Sequence, residues 1–187
     1  MDTETSDETL MTSYRHGDAA AFETLYQRHK GPLYRYLKRQ CPANVVDELF
    51  QDVWMKIIHS RERYEVRARF RTFLYHLAHN RLIDYYRAQN GRVPGRHGEA
   101  NPGDVAELPA GDTEQPERRV QGQQQMQRLL ALLDDLPVQQ REAFLLKEEA
   151  GLSVAEIAEV MDVGAETAKS RLRYALQRLR EGLKEWL

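Results

Sequence analysis

Apolar residues recur along most of this chain at intervals of three and four positions, the spacing that places them on one face of an α-helix. Runs that alternate between apolar and polar residues, which would predict β-strands, are almost absent. The helical period appears in four segments before residue 90 and in four segments after residue 122. The sequence therefore predicts an all-α protein.

Residues at the ends of these segments fit the ends of helices. Asp18 is a suitable N-cap for the second helix, and Ser153 is a suitable N-cap for a helix near the C-terminus. Glu156 follows Ser153 by three positions, which is the spacing of a capping box. Gly151 is expected to end the preceding helix, and Pro32 is expected to kink or briefly interrupt the second helix.

Between the two groups of helices lies a segment, residues 91–122, that is rich in glycine, proline and acidic residues. It shows no sustained period, and such a composition cannot bury enough apolar surface to become ordered. We therefore expect two small helical domains, residues 1–90 and 123–187, joined by a flexible acidic linker. The two domains are expected to move independently in solution.

The last two predicted helices are separated by a tight turn at residues 162–164. A short helix, a tight turn and a longer helix make up a helix-turn-helix motif, whose second helix fits the major groove of DNA. The outer face of that second helix is polar and basic, which suits contacts with base edges and phosphates. An ordinary solvated helix face is the alternative explanation of the same pattern.

The fourth predicted helix interleaves aromatic residues with arginines. Single-stranded nucleic acid binds to such surfaces, because bases stack on rings while guanidinium groups hold phosphates. The helical period assigns Phe70 and Phe73 to the core. At most Tyr75, Tyr85 and Tyr86 are therefore left free for stacking.

Charge and cysteine content narrow the possible functions. The net charge is −2, but its distribution is uneven. Arginines dominate residues 61–98, six acidic residues and no lysine or arginine occupy 99–117, and a second basic cluster runs from Lys169 to Lys184. Cys41 is the one cysteine, so an internal disulfide is excluded. The sequence assigns no function to Cys41. Because the chain has neither a signal-peptide pattern nor a long apolar run, we expect a cytoplasmic protein. No metal or other cofactor is expected.

Three segments resemble the extracytoplasmic-function (ECF) sigma factors of bacteria. They are DELFQDVWMKII, then FRTFLYHLAHNRLIDYYR, then the stretch from LLALLDDLP to LQRLR, in the order and spacing of that family. The resemblance covers about residues 10–183. It implies a promoter-specificity subunit of RNA polymerase rather than an enzyme, with sigma region 2 in residues 1–90 and sigma region 4 in residues 123–187.

The resemblance also implies partners for three surfaces. The acidic helix would bind the polymerase β′ subunit through Asp47, Glu48, Gln51, Asp52 and Lys56. The next helix would open and read the minus-ten promoter element and capture a flipped base, through Arg71, Tyr75, His79, Asn80, Arg81, Asp84, Tyr85 and Arg87. The helix-turn-helix, with its domain on the β flap, would read the minus-35 element through Glu166, Thr167, Lys169, Ser170, Arg171, Arg173 and Tyr174. Many relatives also bind an anti-sigma factor.

Two other functions stay open at this point. A free-standing helix-turn-helix regulator would bind palindromic duplex DNA as a dimer. It explains the last 60 residues but not the aromatic and basic helix before the linker. A nuclease that holds a metal on Asp47, Glu48 and Asp52 is the other alternative, but no histidine or further acid follows at a ligand spacing.

Overall fold

Helices make up the regular structure of the parts of the chain that can be described. The computed structural model describes residues 5–66, 68–90 and 116–184, without the side chains of residue 90 and residues 116–123. Within these ranges there are eight α-helices and no strand, which confirms the all-α prediction. Residues 91–115, most of the predicted linker, lie outside the described residues, and a helix is present from Pro116 onward.

The N-terminal half consists of four helices: α1 (Asp7–Arg15), α2 (Ala19–Lys38), α3 (Val46–Ser60) and α4 (Phe70–Asn90). Single turns of 3₁₀ helix precede and follow α3. As predicted, Asp18 caps α2, since its carboxylate accepts hydrogen bonds from the N–H groups of Ala20 and Ala21.

Pro32 does not interrupt α2, which continues without a break from Ala19 to Lys38. Of the expected kink or interruption, the interruption is wrong, because packing outweighs the local preference of proline. Leu25 before Pro32 and Leu33, Tyr36 and Leu37 after it are all buried in the same core. That shared burial holds both parts of the helix in place.

The C-terminal half also consists of four helices: α5 (Pro116–Asp134), α6 (Val138–Glu148), α7 (Val154–Val160) and α8 (Ala165–Lys184). The capping box of α7 is formed as predicted: the Ser153 hydroxyl accepts from the N–H of Glu156, and the Glu156 carboxylate accepts from the N–H of Ser153. The turn before α8 has its left-handed residue at Asp162, whose φ is 51°.

The two halves pack against each other in this structure, an arrangement that the sequence did not predict. The helix α4 contacts α7, and one cluster of buried side chains includes Tyr36 and Tyr75 from the first half together with Leu146, Leu152 and Ile157 from the second. The composition of the linker indicated how the halves are connected. It carried no information about whether their surfaces fit each other.

Candidate nucleic-acid interface

The helix α3 presents the acidic surface that the sequence predicted. Its apolar side is buried through Val46, Leu49, Val53, Trp54 and Ile57. On the other side Asp47, Glu48 and Gln51 are exposed, while Asp52 and Lys56 are half-buried. Met55 is 46% exposed among them. The five residues predicted to bind polymerase therefore lie on one accessible side of a single helix.

Two side chains, those of Arg81 and Tyr34, hold the carboxylates of α3 in place through three hydrogen bonds. The Nε of Arg81 on α4 donates to Oδ2 of Asp52 at 2.7 Å, and its Nη2 donates to Oε1 of Glu48 at 3.3 Å. The hydroxyl of Tyr34 on α2 donates to Oδ1 of Asp47 at 3.1 Å. Arg81, which was assigned to minus-ten DNA, is thus engaged by the acidic surface, with 18% of its side chain exposed.

The remaining residues predicted to read the minus-ten element divide by exposure. Arg71, Asp84 and Arg87 are exposed, and Asn80 and Tyr85 are half-buried. Tyr75 and His79 are buried. A single face of α4 therefore does not present all eight assigned side chains to solvent.

The aromatic residues of α4 are less available for stacking than the sequence suggested. Tyr75 is fully buried against the ring of Tyr36, and Tyr86 is 8% exposed, with its hydroxyl donating to the carbonyl of Gln40. Tyr85, half-buried beside Tyr86, keeps part of its ring accessible. Of the three rings that the sequence left available at most, the structure keeps Tyr85 partly accessible, because α4 is covered on more than one side.

A cavity of about 430 Å³ lies between the end of α3 and the beginning of α4. It is lined by Ser60, Arg63, Tyr64, Glu65, Ala68 and Phe73. The Tyr64 hydroxyl is buried without a hydrogen-bond partner, and burial raises the pKa of Tyr64 to about 12. The phenol therefore stays a neutral donor. Sequence reasoning missed this cavity, and its one signal was an aromatic residue in a loop of charged residues.

The helix α8 places its two faces as predicted. Ala168, Leu172, Ala175 and Leu179 are buried. The residues assigned to the minus-35 element are all accessible, since five are exposed and Ser170 and Arg171 are half-buried. Their contacts are local: Lys169 lies 3.7 Å from Glu166, and the Arg173 guanidinium lies over the Tyr174 ring.

Cys41 behaves as a packing residue. Its thiol donates to the carbonyl of Leu37 at 3.3 Å, and the side chain packs against the core. Burial raises the pKa of the Cys41 thiol to about 12. Because the thiolate is the reactive form of cysteine, this thiol is held in its unreactive form.

The described residues contain neither a cluster of metal ligands nor a helix able to span a membrane. In these ranges no three side chains of histidine, cysteine, aspartate or glutamate come together as metal ligands would. None of the described helices combines the length and the apolar character required to cross a bilayer.

Each half of the chain matches a known protein family. Residues 25–92 match the family described as Sigma-70 region 2, and residues 126–179 match Sigma-70, region 4. The first match contains α3 and α4, and the second contains the helix-turn-helix. The order of the two matches is the order predicted from the sequence.

Curated relatives match nearly the whole chain. The ECF RNA polymerase sigma-E factor of Haemophilus influenzae is 28% identical over 171 residues, which cover 89% of each chain. The factor of the same name from Escherichia coli K12 is 27% identical over 174 residues, covering 92% of this chain and 91% of its own.

Solved structures share the fold. CnrH, in complex with the cytosolic domain of CnrY, superposes with a TM-score of 0.67 at 21% identity, over 97% of this chain and 99% of its own. The sigma factor RpoE of Bartonella quintana, in complex with the anti-sigma factor NepR, gives a TM-score of 0.64 at 22% identity, over 87% and 96% of the two chains. With both sigma regions matched in order across the chain, this protein belongs to the ECF sigma factors, alternative sigma factors that direct transcription initiation.

Proposed function

We propose that this sigma factor divides promoter recognition among three helices. The acidic side of α3 binds the β′ subunit of core RNA polymerase, α4 opens and reads the minus-ten element, and α8 reads the minus-35 element. The observation that carries the proposal is the outer face of α8. All seven residues assigned there are accessible, while the opposite face of the helix is buried.

The accessible part of α4 supports phosphate contacts and limited stacking. Arg71 and Arg87 are exposed for phosphates, and Asn80 and Tyr85 lie between them on the helix. The cavity beside α4 is a candidate receptor for a flipped base. The rings of Tyr64 and Phe73 line it, with their centroids 5.6 Å apart, and supply apolar surface for a base.

The function we propose has no catalytic step of its own. The protein supplies binding free energy for strand opening through phosphate contacts and stacking, while the polymerase carries out the chemistry. Because core polymerase and the chromosome lie in the cytoplasm, we also place the protein there. An anti-sigma factor is a candidate partner, since the structural relatives RpoE and CnrH were solved in complexes, RpoE with an anti-sigma factor.

The first experiment combines the purified protein with bacterial core polymerase and the DNA upstream of its own gene. We expect a stable complex and transcripts with a defined start. Alanine at Arg171 or Arg173 should lower initiation about tenfold, the usual effect of losing one base contact, and relax the preference at one promoter position.

Arg178 and Arg180, exposed further along α8, supply the matched controls. Alanine there should weaken DNA binding evenly across sequences and reduce its salt dependence. If the Arg171 and Arg173 variants initiate transcription as well as the unchanged protein, α8 does not read the minus-35 element through these residues. Failure to bind core polymerase, combined with tight binding to palindromic duplex DNA, would instead favour the free-standing regulator.

A further inference from the structure

We propose that α1 positions the loop between α3 and α4 for base capture, and that Arg15 and Glu8 are the two positioning residues. The loop lines the cavity that we assigned to a flipped base, so the proposal rests on the function proposed above. It gives a part in minus-ten recognition to a helix that lies before the match to Sigma-70 region 2, which begins at residue 25.

The first observation is a pair of hydrogen bonds from α1 to the two ends of one backbone segment. Nη1 of Arg15, the last residue of α1, donates to the carbonyl of Tyr64 at 3.0 Å. The N–H of Phe70, the first residue of α4, donates to Oε1 of Glu8 at 2.9 Å. Glu8 and Arg15 lie about two turns apart on one helix, roughly 10 Å along its axis. The segment from Tyr64 to Phe70 is therefore held at both ends by a single element.

The second observation is that this segment provides part of the cavity wall. Tyr64, Glu65 and Ala68 lie within it and line the cavity. Phe73, one turn into α4, lines the cavity as well, with its ring centroid 5.6 Å from that of Tyr64. The ring of Tyr64 thus borders the cavity while its carbonyl is held by Arg15. A shift of this backbone would move the ring against which a base packs.

The third observation is that α1 is itself fixed to α2. One oxygen of the Asp7 carboxylate accepts a hydrogen bond from Nη1 of Arg28 at 2.9 Å, and the other lies 2.7 Å from Nε2 of His29. Both partners belong to α2. Further along α1, the guanidinium of Arg61 lies over the ring of Tyr14, 5.5 Å from its centroid. Because α2 anchors α1, the hydrogen bonds from α1 tie the loop to the body of the N-terminal half.

On the loop side, both of the held groups belong to the backbone. Glu8 fills the place of an N-cap for α4, since the first N–H of a helix has no acceptor within the helix. Its negative charge also interacts favourably with the positive N-terminal end of α4. The two contacts therefore set the path of the backbone, while the side chains of the loop remain available to contact a base.

Holding the loop in advance favours base capture. A loop that is already ordered does not lose conformational freedom when the base binds, and such preorganisation raises affinity. The residues that line the cavity do not include Arg15 or Glu8, so these two act through the loop. Losing either contact should weaken base capture roughly three- to tenfold, the usual effect of losing one hydrogen bond.

Hydrogen exchange on the full-length protein tests the two contacts without polymerase or DNA. We expect Glu8→Ala and Arg15→Ala to speed amide exchange in peptides that span residues 64–73 roughly three- to tenfold. Glu8→Gln keeps an oxygen acceptor for Phe70 and should speed exchange less. His16→Ala is the matched control and should change nothing, because His16 is exposed beside Arg15 and its ring contacts the carbonyl of Thr12 on α1 itself.

The second measurement follows initiation with core polymerase on promoter templates that each lack one base in the non-template strand of the minus-ten element. On the intact template, Arg15→Ala and Glu8→Ala should lower initiation roughly three- to tenfold, with part of the loss recovered by Arg15→Lys and Glu8→Gln. On the template without the captured base, the same variants should initiate as well as the unchanged protein, because no base is left to position. His16→Ala should match the unchanged protein on every template.

Equal losses on the intact template and on the template without the captured base would mean that Arg15 and Glu8 only support the fold, and would overturn the proposal. Unchanged hydrogen exchange in both alanine variants would overturn it as well. If Glu8→Ala loses helical circular dichroism, the decision passes to Arg15→Ala, whose side chain is exposed. If the unchanged protein initiates equally on all templates, the cavity captures no base and its proposed function fails. Hydrogen exchange then still decides whether α1 holds the loop.

Discussion

Arg81 joins two helices to which the sequence assigned different partners. Its guanidinium bridges Asp52 and Glu48 of α3 from a position on α4. A fork that reaches two carboxylates at once orients both of them, which lysine at the same position could not do. At this residue the acidic surface of α3, which we assign to polymerase, is physically connected to α4, which we assign to the minus-ten element.

We therefore predict that Arg81→Ala weakens binding to core polymerase even when no DNA is present, by roughly three- to tenfold, because Asp52 and Glu48 lose their orientation. Arg81→Lys should recover part of the loss at most. Binding is measured by fluorescence anisotropy of labelled protein titrated with core polymerase. Arg87→Ala, which removes an exposed arginine of the same helix, is the control and should not change it.

A double-mutant cycle separates the bridge from a direct DNA contact. If Arg81 acts through Asp52, the losses of polymerase affinity caused by Arg81→Ala and by Asp52→Asn should not be additive, because each substitution removes the same interaction. Additive losses would instead indicate that Arg81 contacts minus-ten DNA directly. A binding defect of Arg81→Ala that appears only when promoter DNA is present would indicate the same.

Individual side chains were predicted well where their surroundings are local and poorly where they are not. The period of α3 correctly separated its buried residues from Asp47 and Glu48. On α4 the same reasoning left Tyr75 and His79 free for DNA, although both are buried. The helical period identifies the face of α4 that packs on the core of its own half. The C-terminal half covers a second face of α4, and no local sequence pattern predicts that contact.

At the scale of helices, too, features that depend on neighbouring residues were predictable and features that depend on distant residues were not. The caps at Asp18 and Ser153 were predictable because both partners of each hydrogen bond lie within three residues. The continuity of α2 through Pro32 was not, because it depends on a core assembled from distant parts of the chain.

For α7 we predict that Ser153→Ala lowers the free energy of unfolding by about 1 kcal/mol, the usual cost of losing a serine N-cap. Urea denaturation followed by circular dichroism measures the change. Glu156→Gln should lower the free energy of unfolding less in the Ser153→Ala background than in the unchanged chain, since the two residues form one capping box. A Ser153→Ala variant as stable as the unchanged chain would contradict the role of the cap.

The stability of the same cap should depend on pH. Burial of Glu156 raises its pKa, but hydrogen bonds from the backbone and hydroxyl of Ser153, with Arg69 and Thr72 nearby, together hold the pKa below the ordinary 4.5. A carboxylate with a lowered folded-state pKa contributes stability above the unfolded pKa and loses it as the pH falls through the folded pKa. The difference in unfolding free energy between the unchanged chain and Glu156→Gln should therefore be full at neutral pH and shrink below about pH 4.5. A difference that is constant from pH 7 to pH 3 would contradict this assignment.

At the scale of the whole molecule, the sequence predicted the parts but not their arrangement. Two helical halves and their order followed from periodicity, from the composition of residues 91–122 and from the family resemblance. That α6 would bury Glu142 between α2 and α4 could not be predicted. A glutamate in an amphipathic helix is expected at the surface, and its burial depends on the meeting of Tyr36 and His79 from another half.

The shared core has a consequence for unfolding. Because buried residues of both halves form one cluster, loss of either half exposes apolar surface on the other, and the halves should unfold together. We predict that, in a chain whose second tryptophan is removed by Trp186→Phe, Trp54 fluorescence, which reports on α3, and circular dichroism, which reports on all helices, give coincident urea transitions. In Glu142→Ala the contact between the halves is weakened while each keeps its own helices, so the two transitions should separate. Glu148→Ala, which removes an exposed acid of the same helix, should keep them coincident. Separate transitions in the Trp186→Phe chain would mean that the contact between the halves contributes little free energy, and Glu142 would then be a buried charge without influence on the cooperativity of the fold.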